Sequence, residues 1–148
     1  MTYFASLNSG SNGNCYYVGN DNEAVLIDAG ISARETIRRL RSLGINPGKV
    51  NAIVISHEHI DHIRGAEGLA KSLSVPIYIT PKTKYRCGGT ITNTYSRPFD
   101  SGNCIQIGDL SIQAFSKMHD ADDPHSFVIH HRGINIGVFT DIGAACKN

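Results

Sequence analysis

The chain has 148 residues, 41% hydrophobic and 18% charged, enough for a sizeable core and too apolar for a disordered segment. A net charge of +1 excludes a strongly basic, polyanion-coating protein; any attraction for nucleic acid must come from a local patch or from bound metal. Four scattered cysteines with no Cys-x-x-Cys spacing read as reduced thiols of a cytoplasmic protein. The start lacks a basic stretch followed by an apolar core, so no signal peptide is expected, and no run approaches membrane-spanning length.

In chain order, Thr2 to Leu7 is predicted as a strand running into Asn8-Ser9-Gly10-Ser11-Asn12-Gly13-Asn14. A loop of small polar residues brings backbone N–H groups close to an anion or a metal site, although a plain hairpin turn has the same composition. Ser11, Asn12, Gly13 and Asn14 are therefore candidate substrate-loop residues. Cys15 to Val18 and Ala24 to Ile27 follow as strands around the polar turn Gly19 to Asn22. Asp28 closes the second of these, where a carboxylate is either the turn before a helix or the support of a metal ligand.

Ser32 and Glu35 have capping-box spacing, Ile37, Leu40 and Leu43 form an apolar stripe, and Gly44 is the stop. Arg34, Arg38 and Arg41 fall on the opposite, solvated face. The apolar, β-branched run Ala52-Ile53-Val54-Ile55-Ser56 then reads as a buried strand. His57-Glu58-His59-Ile60-Asp61-His62 follows it directly. Four candidate ligands, His57, His59, Asp61 and His62, within six residues exceed what packing asks for, and imidazole nitrogen with carboxylate oxygen suits a divalent ion such as Zn²⁺. In extended backbone His57 and His59 point the same way and can share one ion; Asp61 and His62, beyond the change of direction, suit a second. The plain alternative is a charged turn after a strand.

Gly65 to Leu73 reads as a helix, Val75 to Ile79 as a strand, and Pro81 opens a short helix through Arg86. Lys82, Lys84 and Arg86 make a modest basic patch of no assigned use, and Gly88 to Ser101 is turn-rich. Cys104–Ile107, Leu110–Ser116, Phe127–His131 and Ile134–Phe139 are four more strands, with turns at Gly108-Asp109 and Arg132-Gly133. Hairpins giving way to β-α-β-α-β argue for an α/β layered fold. His119, after a strand and among acidic neighbours, is the expected third ligand of the first ion. His130 and His131 flank a turn and are expected at the surface, and His125 near the site without a ligand role.

His-x-His-x-Asp-His after a buried strand resembles the signature of the metallo-β-lactamase-fold hydrolases. Ser9-Gly10-Ser11-Asn12-Gly13-Asn14-Cys15 and His119-Asp120-Ala121-x-x-Pro124 are similar to motifs of the YycJ-type bacterial branch, regarded as DNA-processing nucleases. The resemblance implies an αβ/βα sandwich and two divalent ions, Zn or Mn. The first takes His57, His59 and His119, the second Asp61 and His62, with Asp141 between them. Asp28 is implied to support the histidine loop, and Asp61 to orient the water activated between two metals for attack on a phosphodiester. The same ligands serve thioester and lactam hydrolases. The family's final histidine lies well beyond the bridging Asp, so residues 1–148 are expected to be one truncated domain lacking its C-terminal part. The second metal position is then incomplete, and the chain a candidate for a metal-binding fragment without turnover. A homo-oligomer is expected to cover the exposed face.

Overall fold

The computed structural model describes residues 1–142, so Cys146 lies outside the described residues. The opening hairpin forms as the pattern predicts: β1 (Tyr3–Asn8) runs antiparallel to β2 (Cys15–Gly19), which pairs with β3 (Ala24–Ile27). All four residues of β3 are buried, as expected of a strand covered on both faces. α1 (Ala33–Ser42) is capped by Ser32, whose Oγ accepts the N–H of Glu35 at 3.1 Å. Only that half of the capping box forms, because the Glu35 carboxylate is taken by Arg38 and Arg39. Leu43 is not in the buried stripe; it sits at the C-cap, after the helical turn has ended, and is 56% exposed.

After a 3₁₀ turn, β4 (Val50–Val54) enters parallel to β3. It starts and stops two residues earlier than the apolar run suggests, yet Ile55 and Ser56 stay buried. The short α2 (Ile60–Ile63) was not signalled, since four residues rich in His and Asp carry no periodicity. α3 (Ala66–Leu73), β5 (Ile77–Ile79) and α4 (Pro81–Arg86) follow as read. β6 (Ser96–Pro98) lies inside the stretch expected to be turns; as the last strand of its sheet it tolerates Pro98. β7 (Cys104–Ile107), β8 (Leu110–Ser116), β9 (His125–His131) and β10 (Ile134–Val138) form a second, antiparallel sheet of order β10-β9-β8-β7.

Three layers result among the described residues. The six-stranded sheet, β1 to β6 in order, carries α1 and α3 on one face through Leu40, Ala66, Leu69 and Ala70. Its other face, with Val18, Val25, Ile27, Ala52 and Val54, packs on Ile112, Phe127 and Ile129 of the four-stranded sheet. Burying each such side chain stabilises by about 1.5–3 kcal/mol, so both faces give the strand ends a firm base. His131 continues the Phe127–Ile129 alternation and is buried at 4% exposure, contrary to the expected surface position. Its Nδ1 lies 2.7 Å from Thr2 Oγ1. His130, on the other face, meets Asn135 at the surface. No helix among the described residues is long and apolar enough to cross a membrane.

Candidate metal centre

The parallel pair β3–β4 ends with Asp28 and Ser56-His57 side by side, because Asp28 N–H donates to Val54 O at 2.9 Å. Asp28 adopts a left-handed backbone (φ 63°), an uncommon conformation that Asp tolerates better than most residues. Its buried carboxylate accepts Ser56 N–H at 2.8 Å, Ser56 Oγ–H at 2.7 Å and His62 Nδ1–H at 2.6 Å. Ser56 has one hydroxyl proton and spends it on Asp28. Its Oγ, 2.9 Å from His57 Nδ1, is therefore the acceptor for His57 Nδ1–H. Both rings are thus set with Nε2 as a bare lone pair.

The two lone pairs differ: that of His62 meets the Asn14 amide, Nδ2 at 3.2 Å, and that of His57 meets no donor. His57 Nε2 is buried with no hydrogen bond. His62 Nε2 lies 2.7 Å from Asp141 Oδ2, acceptor against acceptor unless a proton or a cation sits between them. The titration shifts of the two rings run in opposite directions. Burial, with His62 and Lys117 nearby, holds His57 down to about 2, so it stays in its neutral, ligating form. Burial also opposes charge on His62, but Asp28, then Asp61 and Asp141, outweigh it and the net shift is upward. Burial lowers His119 as well.

The predicted ligands form two triangles sharing His57. Ligand atoms of His57, His59 and His119 all lie within 4.8 Å of one another, as do those of His57, His62 and Asp141. Asp141, left-handed at φ 49° after β10, places Oδ2 3.6 Å from His57 Nε2, as a corner of the second triangle. Asp61 Oδ2 stands 3.5 Å from His62 Nε2, at the rim of the second triangle. A buried orphan nitrogen, an opposed imidazole–carboxylate pair and a three-histidine set fit divalent cations.

Close packing holds the histidine loop. A Cβ on Gly30 would lie 1.7 Å from Asp61 O, so α2 rests directly on the backbone after β3. Asn14 is buried; its N–H donates to Asp61 O at 2.7 Å, and its Nδ2 lies 3.3 Å from Asp61 Oδ2 and 3.2 Å from His62 Nε2. Ser11 and Asn14 line a cleft of about 300 Å³ with Asp61 and Asp141, whereas Gly13 packs against Gly30. His125 is in neither triangle: its N–H donates to Ser56 O at 2.9 Å, tying the two sheets together at the site.

Three further residues escaped the sequence reading. Ser56, visible only as a polar end to an apolar run, sets the His57 tautomer. Lys117 Nζ donates to the Thr140 carbonyl just before Asp141, and burial lowers its pKa. Glu58 Oε1 accepts Asp122 N–H at 3.0 Å and fixes the loop that carries His119.

A family profile described as Metallo-beta-lactamase superfamily matches residues 9–139. The chain is 33% identical over 144 residues to "Exodeoxyribonuclease YycJ" of Bacillus anthracis, covering 95% of this chain and 54% of that protein. To "Exodeoxyribonuclease WalJ" of Streptococcus pneumoniae serotype 2 it is 31% identical over 147 residues, with the same coverage. The chain spans about half the length of the curated relatives it matches. Among solved structures, the subclass B3 metallo-beta-lactamase MEM-A1 from a soil metagenome superposes with a TM-score of 0.72 at 18% identity, covering 92% of this chain and 58% of that chain. The metallo-beta-lactamase fold protein YhfI from Bacillus subtilis gives 0.69 at 16% identity, covering 90% and 61%. At these identities the superpositions speak to the fold alone.

Proposed function

The chain belongs to the metallo-beta-lactamase superfamily, and from that premise we propose that it is the site-bearing part of a metal-dependent phosphodiesterase acting on DNA. The observation that carries the reading is the pair of ligand triangles hinged on buried His57, in a chain whose relatives are named exodeoxyribonucleases. His57, His59 and His119 would hold one ion, and Asp61 and His62 a second, with Asp141 between them. Divalent ions supply Lewis acidity there, bringing the pKa of water from about 16 towards about 7 and offsetting negative charge at phosphorus.

The chain's own residues do the rest. Asp28 and Ser56 hold His57 and His62 in the tautomers that ligation needs. Asp61, partly exposed at the cleft and fixed by Asn14, orients the attacking water and accepts its proton. Of the polar loop, Gly10, Ser11 and Asn14 form the wall along which the substrate lies, and Asn12 and Gly13 stand outside it. The three described cysteines are free thiols, which supports a cytoplasmic setting.

The test is a parallel assay of the Mn²⁺- or Zn²⁺-loaded protein on single-stranded DNA, a glutathione thioester and a β-lactam. Cleavage of the DNA alone is expected. Turnover of only the thioester or lactam overturns the substrate class, and metal binding without any turnover overturns the enzyme reading for this chain.

A further inference from the structure

The basic patch on α4 has no part in the metal centre, yet α4 is bolted to the loop that carries His119. Arg86 Nε lies 3.2 Å from Asp122 Oδ2, and Thr83 Oγ1 donates to Asp123 O at 3.5 Å. Whatever lies on α4 is therefore held beside the site. What lies there is unusual for a structural helix. Tyr85 is 83% exposed, so its ring contributes little to the core. Lys84 and Arg86 flank it in sequence, and Lys82 lies on the preceding turn of the helix. Arg86 is paired with Asp122 and lies in the field of Glu58, whereas Lys82 and Lys84 form no ion pair among the described residues and Lys84 Nζ donates only to the neutral Asn93 Oδ1, so two ammonium groups stay available to an anion. Beside the phenol runs an open groove of about 760 Å³ whose walls include Lys84, Tyr85, Thr92 and Asn93. Gly88 and Gly89, both left-handed (φ 60° and 89°), give it a floor with open space where side chains would project.

We propose that α4 is a docking platform for single-stranded nucleic acid, with Tyr85 stacking on one base while Lys82 and Lys84 meet the flanking phosphates. The proposal rests on the phosphodiesterase reading, which it extends from the reacting bond to the strand beside it. An exposed aromatic face between cations is the chemistry that sequence-tolerant single-strand binders use. The preference for a single strand follows from the ring: it needs a free base face, and in a duplex the faces are stacked on each other. The net charge of +1 is no obstacle, since the field that matters is local.

The experiment is fluorescence anisotropy of the metal-loaded protein with a labelled, cleavage-resistant phosphorothioate oligothymidylate and with the corresponding duplex. Tyr85→Ala is expected to weaken single-strand binding about tenfold, and Tyr85→Phe to restore it. Lys82→Ala/Lys84→Ala should reduce the steepness of log K against log salt by roughly 1.4, about 0.7 for each phosphate no longer neutralised, while Tyr85→Ala leaves that slope unchanged. The side chains are exposed, so these variants should fold as wild type does. Unchanged affinity in Tyr85→Ala, failure of Tyr85→Phe to restore it, a preference for duplex, or no binding by the wild type overturns the platform. DNA cleavage that ignores Tyr85 leaves the phosphodiesterase reading standing without the platform. Tyr85-dependent binding without any cleavage does the reverse.

Discussion

The six-stranded sheet presents His57, His62 and Asp28 with no solvent exposure, fixed by hydrogen bonds from His57 to Ser56 and from Ser56 and His62 to Asp28. The four-stranded sheet presents Asp141 at 36% exposure and His119 half-buried, each reached by a loop after a strand ends. The two sets meet within a few ångströms, but one is prearranged by a buried network and the other is adjustable. The difference suits a centre that must hold an ion firmly while leaving its substrate side open. It also means that changes on the two sides should fail differently.

The largest effect is expected from Gly30→Ala. The added Cβ would overlap Asp61 O at 1.7 Å and also press on Asn14 N at 2.6 Å, both backbone atoms that cannot rotate away. The loop bearing His57 to His62 must then lift from β3, and the variant should fail to fold or lose metal binding altogether. A soluble Gly30→Ala protein with wild-type metal content would show that the buried side is not held by this contact.

Next comes a paired comparison, His62→Ala against His119→Ala. Both should lower metal content. In metal-free protein, however, His62→Ala takes from buried Asp28 its 2.6 Å partner and should cost about 3–5 kcal/mol in urea unfolding. His119→Ala, on the adjustable side, should stay within about 0.5 kcal/mol of wild type. Equal losses would erase the distinction between the two sides.

Asp28→Asn is a gentler probe of the same network. An amide N–H₂ placed on the side facing Ser56 and His62 sets donor against donor. The ligand tautomers loosen, and metal affinity should fall about 10–100-fold by competition with a chelating dye. Unchanged affinity would mean that the tautomers are set by the metal and not by Asp28.

Legibility followed how local each feature is. The histidine cluster, the strand before it and the acid at the end of β3 were readable because each depends on neighbours in sequence. His119 and Asp141 were readable as strand-end residues, but their meeting with His57 depends on two sheets stacking. Asp28 and Asp141 share a left-handed backbone that no side-chain pattern announces. Ser56 and Lys117 were passed over because a lone Ser or Lys carries no signal until its partner is known. His131 was misplaced because its proximity to a turn was weighed above its alternation with Phe127 and Ile129, which decides burial. β6 was lost to its own composition, as a three-residue strand containing Pro98 looks like a turn unless the neighbouring strand is seen.

The smallest perturbation, with no effect expected on activity, compares the two sheets by thiol reactivity. Cys15, which opens β2 directly after Asn14, is fully buried, and burial, reinforced by Asp28, pushes its thiol well up from the ordinary range. Cys87, just after α4, is pushed up to about 11 by burial and by Glu58, so at pH 8 only about one thiol in 10³ is the reactive thiolate. Cys104 opens β7 in the four-stranded sheet and is exposed. On a Cys146→Ser background a chromogenic disulfide should therefore label Cys104 fast and the other two only on unfolding. Slow labelling also requires that the six-stranded sheet does not open locally during the assay, which makes the rate a measure of its rigidity. If Cys15 reacts as fast as Cys104, the side that carries His57 and His62 breathes on that timescale. The tautomer control assigned to Asp28 and Ser56 would then have to be reimposed with each closure, instead of being a standing property of the fold.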